Sequence, residues 1–274
     1  MNRGLHGHLE LICALDSGGR SYLRHQSFQA PMHLSKPHLD EGVLVVNMVN
    51  PTAGLLAGDR IRLKADVESG ARLLLTTPSA ARAHRMLSDY AEVTQEFSVA
   101  AGGWLENLPE LFIPQAGSRY RQRTVIRVEK GGDLLFFETL APGRVASGES
   151  FQYDWLDWET DLFYGDQLIA RECYKLSPGN ESLVPMRALF PNAYYASCFF
   201  VTEQLGADHP CWASIHALHT QEVWVGCGAL KSGGWTIKIV AAGSILLRRT
   251  LALVRKLLYT ALGRALPSLR RAIE

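Results

Sequence analysis

The sequence has little of what secreted and membrane proteins usually contain. Its five cysteines are odd in number and form no CxxC pair, which argues against a secreted disulfide framework. No apolar run approaches the roughly 18 residues that a membrane span requires. Charged residues and histidines interrupt the N-terminal stretch where a signal peptide would have its apolar core: Arg3, His6, His8 and Glu10. These features predict a soluble, cytoplasmic protein.

Familiar catalytic and cofactor motifs are missing as well. There is no GxSxG nucleophile elbow. The loop from Gly54 to Arg60 contains two glycines, but it lacks the Lys-Ser/Thr pair that engages phosphate and metal in a phosphate-binding loop. The formal net charge is only +1, so charge gives no reason to expect a nucleic acid partner. We therefore predict no permanently bound cofactor and neither nucleic acid nor membrane as a partner.

The stretch from Asn50 to Arg85 is the one around which the chain is organised. A glycine-containing loop leads into a strand, 61–67, whose apolar residues alternate with polar ones. A tight turn at Ser69-Gly70 precedes a short apolar strand, 73–77, which ends at Pro78. Alternation with period two is typical of a strand that has one buried face.

The same pattern recurs twice further along the chain. The segments Val99–Leu105 and Val128–Leu134 repeat the sequence features of Val67–Leu73, and each second strand ends at a proline, Pro78, Pro109 or Pro142. The prolines are 31 and 33 residues apart. A repeat of this length predicts a stacked unit, here a β-hairpin plus a loop, although chance recurrence of common turn residues is the alternative.

The rest of the chain also favours strands. Residues 8–13 and 22–29 flank a turn signal and should pair, and the apolar run 43–49 is typical of a strand covered on both faces. With 274 residues and 47% hydrophobic composition, the chain can bury a sizeable core. We predict one domain, residues 1–274: a mainly β, stacked β-hairpin, β-helix-like elongated scaffold, with a repeat region at about 50–150.

An amphipathic helix is predicted at about 244–263. Apolar residues fall at helical spacing, Ser244 is a plausible N-cap, and Gly263 would end the helix. The segment 244–274 carries net charge +6 and the rest of the chain −5. The basic helix is either packed on the core with a solvated basic face, docked on a partner, or bound to a membrane surface.

Two kinds of side chain could bind a metal. The cluster His209, Cys211, His216 and His219, and the pair His6 and His8, carry ligands that suit zinc or nickel, but they match no standard motif, so ordinary surface or half-buried residues are the alternative. The second kind is acids within apolar strands or glycine-rich loops: Asp59, Glu138, Glu149 and Glu172. Buried carboxylates need partners or a wet channel, so these acids form ion pairs, for example with Arg144 or Arg171, or line a polar path.

Five segments, in this order, resemble the urease accessory proteins of the UreD/UreH type. They are Gly4–Leu23, Asn50–Asp59, Leu74–Arg85, Leu105–Glu110 and Glu138–Phe151. The last of these reads ETLAPGRVASGESF and is similar to a family strand followed by GRxASGExF. The similarity is spread across most of the chain.

The chain also departs from the family pattern. Asn50 stands in place of a histidine, Thr52 in place of a proline, Ala53 and Ala57 in place of glycines, and His84 in place of an aromatic residue.

The resemblance implies a non-enzymatic urease maturation factor on a mainly β, elongated scaffold. Such proteins bind apo-urease and a helical accessory protein of the UreF type, which recruits the UreG-type GTPase. Nickel would be cargo in transit, in one view through an internal water-filled tunnel. The acids that the resemblance assigns to this path are Asp59, Glu138, Glu149 and Glu172.

Two other interpretations remain open at this point. A hydrolase or lyase could use acids such as Glu110 and Glu149 as general acid and base on a stacked-β scaffold. A simple structural oligomer would lack polar cavities that run through the protein.

Overall fold

The computed structural model describes residues 4–52, 54–179 and 183–269. The strands are β1 His6–Leu15, β2 Ser21–Gln29, β3 His33–Leu34, β4 His38–Asp40, β5 Val43–Val49, β6 Arg60–Val67, β7 Arg72–Thr76, β8 Ala81–Ala83, β9 Ala91–Val99, β10 Trp104–Leu108, β11 Phe112–Pro114, β12 Arg119–Val128, β13 Asp133–Leu140, β14 Trp155–Tyr164, β15 Gln167–Leu176, β16 Tyr194–Val201, β17 Val223–Ala229 and β18 Trp235–Ala241. The helices are α1 Val184–Leu189, α2 Cys211–His216 and α3 Ser244–Ala261, with a 3-10 turn at Val145–Ser147.

Most strands belong to two large sheets. Sheet I has the order β15-β14-β12-β9-β6-β1-β2, and sheet II has the order β17-β18-β16-β13-β10-β7-β5-β3. The five inner strands of sheet I run parallel, as do β5, β7, β10 and β13 of sheet II, whereas β2, β15, β16, β17 and β18 pair antiparallel. From β5 to β14 the long strands alternate between the sheets, with β8 and β11 on a short third face. The chain is therefore mainly β and β-helix-like, as predicted.

The predicted repeat is confirmed, but its predicted hairpin geometry is wrong. Val67, Val99 and Val128 are register partners in sheet I, and Leu73, Leu105 and Leu134 are register partners in sheet II. The two arms of each repeat thus lie in different sheets and bond to the preceding and following coils instead of to each other. The reason is that both arms are rich in apolar residues, which lets each coil bury its apolar side chains between the sheets.

Glycine allows the turn that joins the arms. Gly70, Gly102 and Gly131 have φ between 74° and 80°, a region that residues with a β-carbon rarely adopt. Gly102 donates its amide to the carbonyl of Gly131 at 2.9 Å, so successive turns stack like the strands. The turn residues recognised in the sequence therefore mark the corners of the coil.

Two other strand predictions are confirmed. β1 pairs antiparallel with β2 across the turn after Leu15. β5 spans 43–49 and is covered on both faces, because Val43 and Val45 belong to the cluster behind sheet II, and Leu44 and Val46 belong to the cluster between the sheets.

The C-terminal helix packs on the outer face of sheet II. Its predicted apolar residues Leu247, Leu251, Val254 and Leu258 are all buried there, and Gly263 follows the helix end with φ 61°. The predicted N-cap is wrong by one residue, since Gly243 occupies that position and Ser244 begins the helix. Within the described ranges, no helix is long and apolar enough to cross a membrane.

The basic face of α3 is only partly solvated. Arg248, Arg249 and Lys256 are exposed, as predicted, but Arg255 is buried. Its guanidinium bonds both carboxylate oxygens of Glu106 on β10, at 2.5 and 3.0 Å, because the helix lies directly over that strand. Arg270 and Arg271 of the basic segment lie outside the described residues.

Candidate functional site

A layer of polar side chains lies between the two sheets near their β15 and β18 ends. It is built from two rows of register neighbours: Thr124, Thr160 and Glu172 on β12, β14 and β15 of sheet I, and Glu138, Ser197 and Lys238 on β13, β16 and β18 of sheet II. Strand alternation points each of these residues to the same side as the inward-facing apolar positions of its strand. Two of the predicted acids, Glu138 and Glu172, are thereby brought into one layer.

Glu138 is buried and receives only neutral donors among the described residues. Trp158 Nε1 and Gln122 Nε2 each donate to Oε1 at 2.9 Å, and Thr160 Oγ1 lies 3.0 and 2.9 Å from the two carboxylate oxygens. Burial raises the pKa of Glu138 to about 7, and the charge of Glu172 adds to this effect, while the hydrogen bonds from Trp158 and Thr160 and the charge of Lys238 oppose it. Glu138 therefore changes its charge near neutral pH.

Glu172 has a cationic partner. The ammonium of Lys238 and the hydroxyl of Tyr195 both contact its carboxylate, and Ser197 Oγ lies 2.5 Å from Oε2. Ser197 Oγ also lies 2.6 Å from Lys238 Nζ. The second carboxylate of the layer is thus neutralised at the margin of the protein.

A cavity of about 260 Å³ has Glu138 in its lining but not Glu172. Its walls include apolar residues such as Met48 and Phe97 and polar residues such as Gln95 and Gln122. Asn107 lines it as well; its Nδ2 donates to the carbonyl of Phe137 at 3.2 Å, but its buried Oδ1 has no partner among the described residues. An unpartnered buried oxygen is costly unless water or a cation meets it.

The divergent loop after β5 lies at this cavity. Asn50, Thr52 and Gly54 are part of the lining. Gly54 has φ 149°, and a β-carbon there would lie 2.8 Å from the carbonyl oxygen of Arg82, so the close approach of the two segments needs glycine. Ala53 lies outside the described residues.

The other two predicted acids have partners of their own. The carboxylate of Asp59 accepts backbone amides from Leu5 and Leu56, each at 2.8 Å. Glu149 pairs with Arg144, whose Nε lies 2.9 Å away, and this hydrogen bond lowers the pKa of Glu149. These contacts hold loops in place, and a role for either acid in a cation path stays a prediction.

The histidine and cysteine cluster does not form a metal site in the structure. Within residues 4–52, 54–179 and 183–269, no three His, Cys, Asp or Glu side chains are grouped so that they could hold a metal ion. Cys211 is buried in the core behind sheet II, and His219 stacks on Trp224 with ring centroids 6.3 Å apart. These contacts favour the interpretation of ordinary structural residues for this cluster, whereas metal binding by the pair His6 and His8 stays a prediction.

The acids of the enzyme interpretation are engaged in separate ion pairs. Glu110 lies 2.7 Å from the guanidinium of Arg248 on α3, and Glu149 pairs with Arg144. The hydrogen bond from Arg144 lowers the pKa of Glu149, which disfavours the protonated form that a general acid requires.

The sequence interpretation missed the neutral members of the layer, although a signal for them exists. On β12 the buried positions alternate as Tyr120, Gln122, Thr124, Ile126 and Val128. The apolar pair at 126 and 128 fixes which face is inward, so Gln122 and Thr124 can be recognised as inward-facing polar residues. Lys238 gives no such signal, because its contact with Glu172 depends on how the sheets are placed.

Comparison with known proteins gives a consistent result over the whole chain. A family model described as UreD urease accessory protein matches residues 5–272. Similar relatives include proteins named urease accessory protein UreD from three bacteria: Opitutus terrae, 41% identical over 94% of this chain and 96% of that protein; Deinococcus radiodurans, 32% identical over 88% and 85%; and Acetivibrio thermocellus, 29% identical over 90% and 95%. The similarity therefore covers nearly the full length of both partners in each comparison.

Proposed function

Since this chain belongs to the UreD family of urease accessory proteins, we propose that it is a maturation scaffold that binds apo-urease and helps to deliver nickel to the urease active site. It is an accessory factor and not an enzyme. On this proposal nickel is cargo and is not a permanently bound cofactor.

The observation that carries the proposal is the cavity that ends at Glu138. Glu172 is not part of the cavity lining but lies in the same polar layer as Glu138, and its charge raises the pKa of Glu138, so the two carboxylates are near each other between the sheets. Carboxylate and amide oxygens are acceptable ligands for a divalent cation such as nickel, and Asn107 Oδ1 offers a further oxygen in the cavity wall. A series of weak sites separated by water suits passage better than one tight site, which would retain the ion.

The absence of a grouped metal site among the described residues fits this proposal. A carrier that holds nickel tightly would need several ligands around one point. Two acids in successive positions, each already hydrogen-bonded, would instead let a cation exchange from one to the next.

Partner binding is proposed from the family and is consistent with exposed apolar residues. We expect urease structural subunits and a UreF-type accessory protein to bind directly, and a UreG-type GTPase to be recruited indirectly. Leu87 on the loop after β8, Leu189 on α1 and Ile245 on α3 are 83%, 62% and 64% exposed. Single exposed apolar side chains are common on protein surfaces, so the family carries this part of the proposal.

The direct test is urease activation in cells supplied with nickel, apo-urease and the other accessory proteins, with and without this chain. We expect activation to depend on the chain. Full activity without it, under conditions in which the chain is expressed in the parallel sample, would contradict the maturation role.

A further inference from the structure

Lys238 lies at the edge of the protein where sheet II extends beyond the last strand of sheet I. Sheet I ends at β15, the strand of Glu172, whereas sheet II continues past β16 to β18 and β17. Lys238 on β18 therefore sits beside the last strand of the opposite sheet, at the margin of the polar layer. Its ammonium contacts Glu172, lies 2.6 Å from Ser197 Oγ and is 4.9 Å from the ring centroid of Phe199.

Exposure increases along the layer toward this margin. Glu138 is 4% exposed, the side chain of Glu172 is 14% exposed, and that of Lys238 is 36% exposed. A lysine stem is long and flexible, so an ammonium at such a position can move to solvent without a change in the backbone. Glu172 cannot follow it, because Tyr195 and Ser197 hold its carboxylate.

Among the described residues, one cationic side chain contacts the carboxylates of the layer. The side chains that donate to Glu138 are the neutral groups of Trp158, Gln122, Thr124 and Thr160. Lys238 is the cationic side chain that contacts Glu172 within the described ranges. Without it, a mostly buried carboxylate would lack a counter-ion, which is strongly unfavourable. A divalent cation at Glu172 would satisfy the same carboxylate with twice the charge.

We propose that Lys238 is a tethered counter-ion of the passage. A divalent cation displaces the ammonium of Lys238 from Glu172, and the returning ammonium then drives that cation out again. The proposal rests on the proposed function, because it assigns the cation path to the Glu138–Glu172 layer. The unpartnered Oδ1 of Asn107 is an independent indication that the cavity beside Glu138 accepts a cation or water. Lys238 is thus a positioning residue that keeps each site weak enough for release.

The variant Lys238→Met removes the charge and keeps most of the stem. In equilibrium dialysis of the full chain with Ni²⁺ alone, we expect it to bind Ni²⁺ about tenfold more tightly than the wild type, since the competing ammonium is gone. Lys238→Arg should keep the wild-type affinity. Lys64→Met is the matched control, because Lys64 forms a 3.3 Å pair with Asp66 and is similarly exposed, at 39%, but lies on β6. An affinity of Lys238→Met equal to or weaker than that of the wild type would overturn the proposal.

A second measurement uses the unmodified chain and does not depend on how a variant folds. The reactivity of Lys238 toward an amine-acylating reagent, followed by mass spectrometry, should increase several-fold when Ni²⁺ is bound, while that of Lys64 stays constant. Unchanged reactivity of Lys238 at saturating Ni²⁺ would overturn the proposal.

Urease activation separates this inference from the proposed function. We expect Lys238→Met to activate urease more slowly than the wild type although it binds Ni²⁺ more tightly, because release is impaired. If Lys238→Met gains affinity but activation needs no copy of the chain, the maturation role fails and the counter-ion role stands. If activation needs the chain and Lys238→Met shows no gain in affinity, the counter-ion role fails.

Discussion

Two buried glutamates on neighbouring strands of sheet II have opposite surroundings. Glu106 on β10 faces α3, where Arg255 bonds both of its oxygens and Tyr259 donates a hydrogen bond at 2.6 Å. Glu138 on β13 faces the space between the sheets, where a cavity reaches it and neutral groups are its hydrogen-bond donors. The first carboxylate has a permanent counter-ion, and the second has none in the part of the chain that the structure describes.

The difference separates a structural anchor from a candidate site. A buried ion pair with complete hydrogen bonding leaves no room for another ligand, so Glu106 fixes α3 to the sheet. A buried carboxylate with neutral donors remains open to a proton or a cation. Residue type and burial are the same in both cases, so the partner side chains decide the role.

The largest loss of stability is expected when the counter-ion of Glu106 is removed. Arg255→Met leaves Glu106 buried without its cation and should lower the free energy of unfolding by about 3–5 kcal/mol. Urea unfolding followed by circular dichroism measures this. The double variant Glu106→Leu with Arg255→Met should recover most of the loss, because it removes both charges.

The control for this prediction is an exposed pair on the same helix. Arg248→Ala breaks the pair with Glu110, whose side chains are 58% and 36% exposed, and should cost less than about 1 kcal/mol. Equal losses of stability for Arg248→Ala and Arg255→Met would mean that the buried pair stabilises the fold no more than the exposed pair does.

A smaller change in the free energy of unfolding, with a defined pH dependence, is expected when Glu138 is replaced. Its pKa is about 7 in the folded chain against 4.5 as the ordinary value, so its contribution to stability is greatest below pH 4.5 and is lost as the pH rises through 7. Glu138→Gln cannot ionise. We expect it to match the wild type near pH 4.5 and to exceed it by up to about 3 kcal/mol above pH 7.

Urea unfolding of the wild type and Glu138→Gln at a series of pH values from 4.5 to 8 tests this. Groups elsewhere titrate alike in both proteins, so their effects cancel in the difference. A difference that does not change with pH, or a variant that is less stable at pH 8, would contradict the assigned environment of Glu138.

The smallest effect should come from removing one donor to Glu138. Trp158→Phe deletes the indole N–H that lies 2.9 Å from Oε1 and should cost about 1–2 kcal/mol, mostly above pH 7, where the carboxylate is charged. Thermal unfolding at pH 5 and pH 8 measures the loss. Trp224→Phe changes an exposed tryptophan on β17 and serves as the control. A loss that is equal at both pH values would indicate that packing, not the hydrogen bond, dominates.

The sequence was sufficient to predict most of the long strands, the β1–β2 hairpin and the C-terminal helix, but not how the strands of the coil pair. The Val67, Val99 and Val128 repeat predicted the stacking correctly, because turn glycines and apolar alternation are local properties. Whether two successive strands pair with each other or with the next coil depends on contacts more than 25 residues apart, such as Leu73 with Leu105. Local patterns do not contain that information.

The same limit applies to the site. Glu138 and Glu172 stand out as acids in apolar strands, and the structure brings them together. Arg255 lies four residues after Leu251 and three before Leu258, at helical spacing from the buried face, but the ion pair that allows its burial could not be predicted, because its partner is 149 residues away. Lys238 and Glu172 meet only because the two sheets end at different strands.

The central claim is that a cation path runs through Glu138 and Glu172. It is tested most directly by measuring nickel loading of urease with a chain that lacks both carboxylates. The double variant Glu138→Ala with Glu172→Ala would be compared with the wild type and with Glu96→Ala/Glu159→Ala, two acids paired with Arg62 and Arg123 on sheet I. Metal content per urease active site would be measured after activation, with folding of each chain checked by circular dichroism. We expect loading to fall in the layer variant and to persist in the control. Wild-type loading by a folded layer variant would contradict a cation path through Glu138 and Glu172.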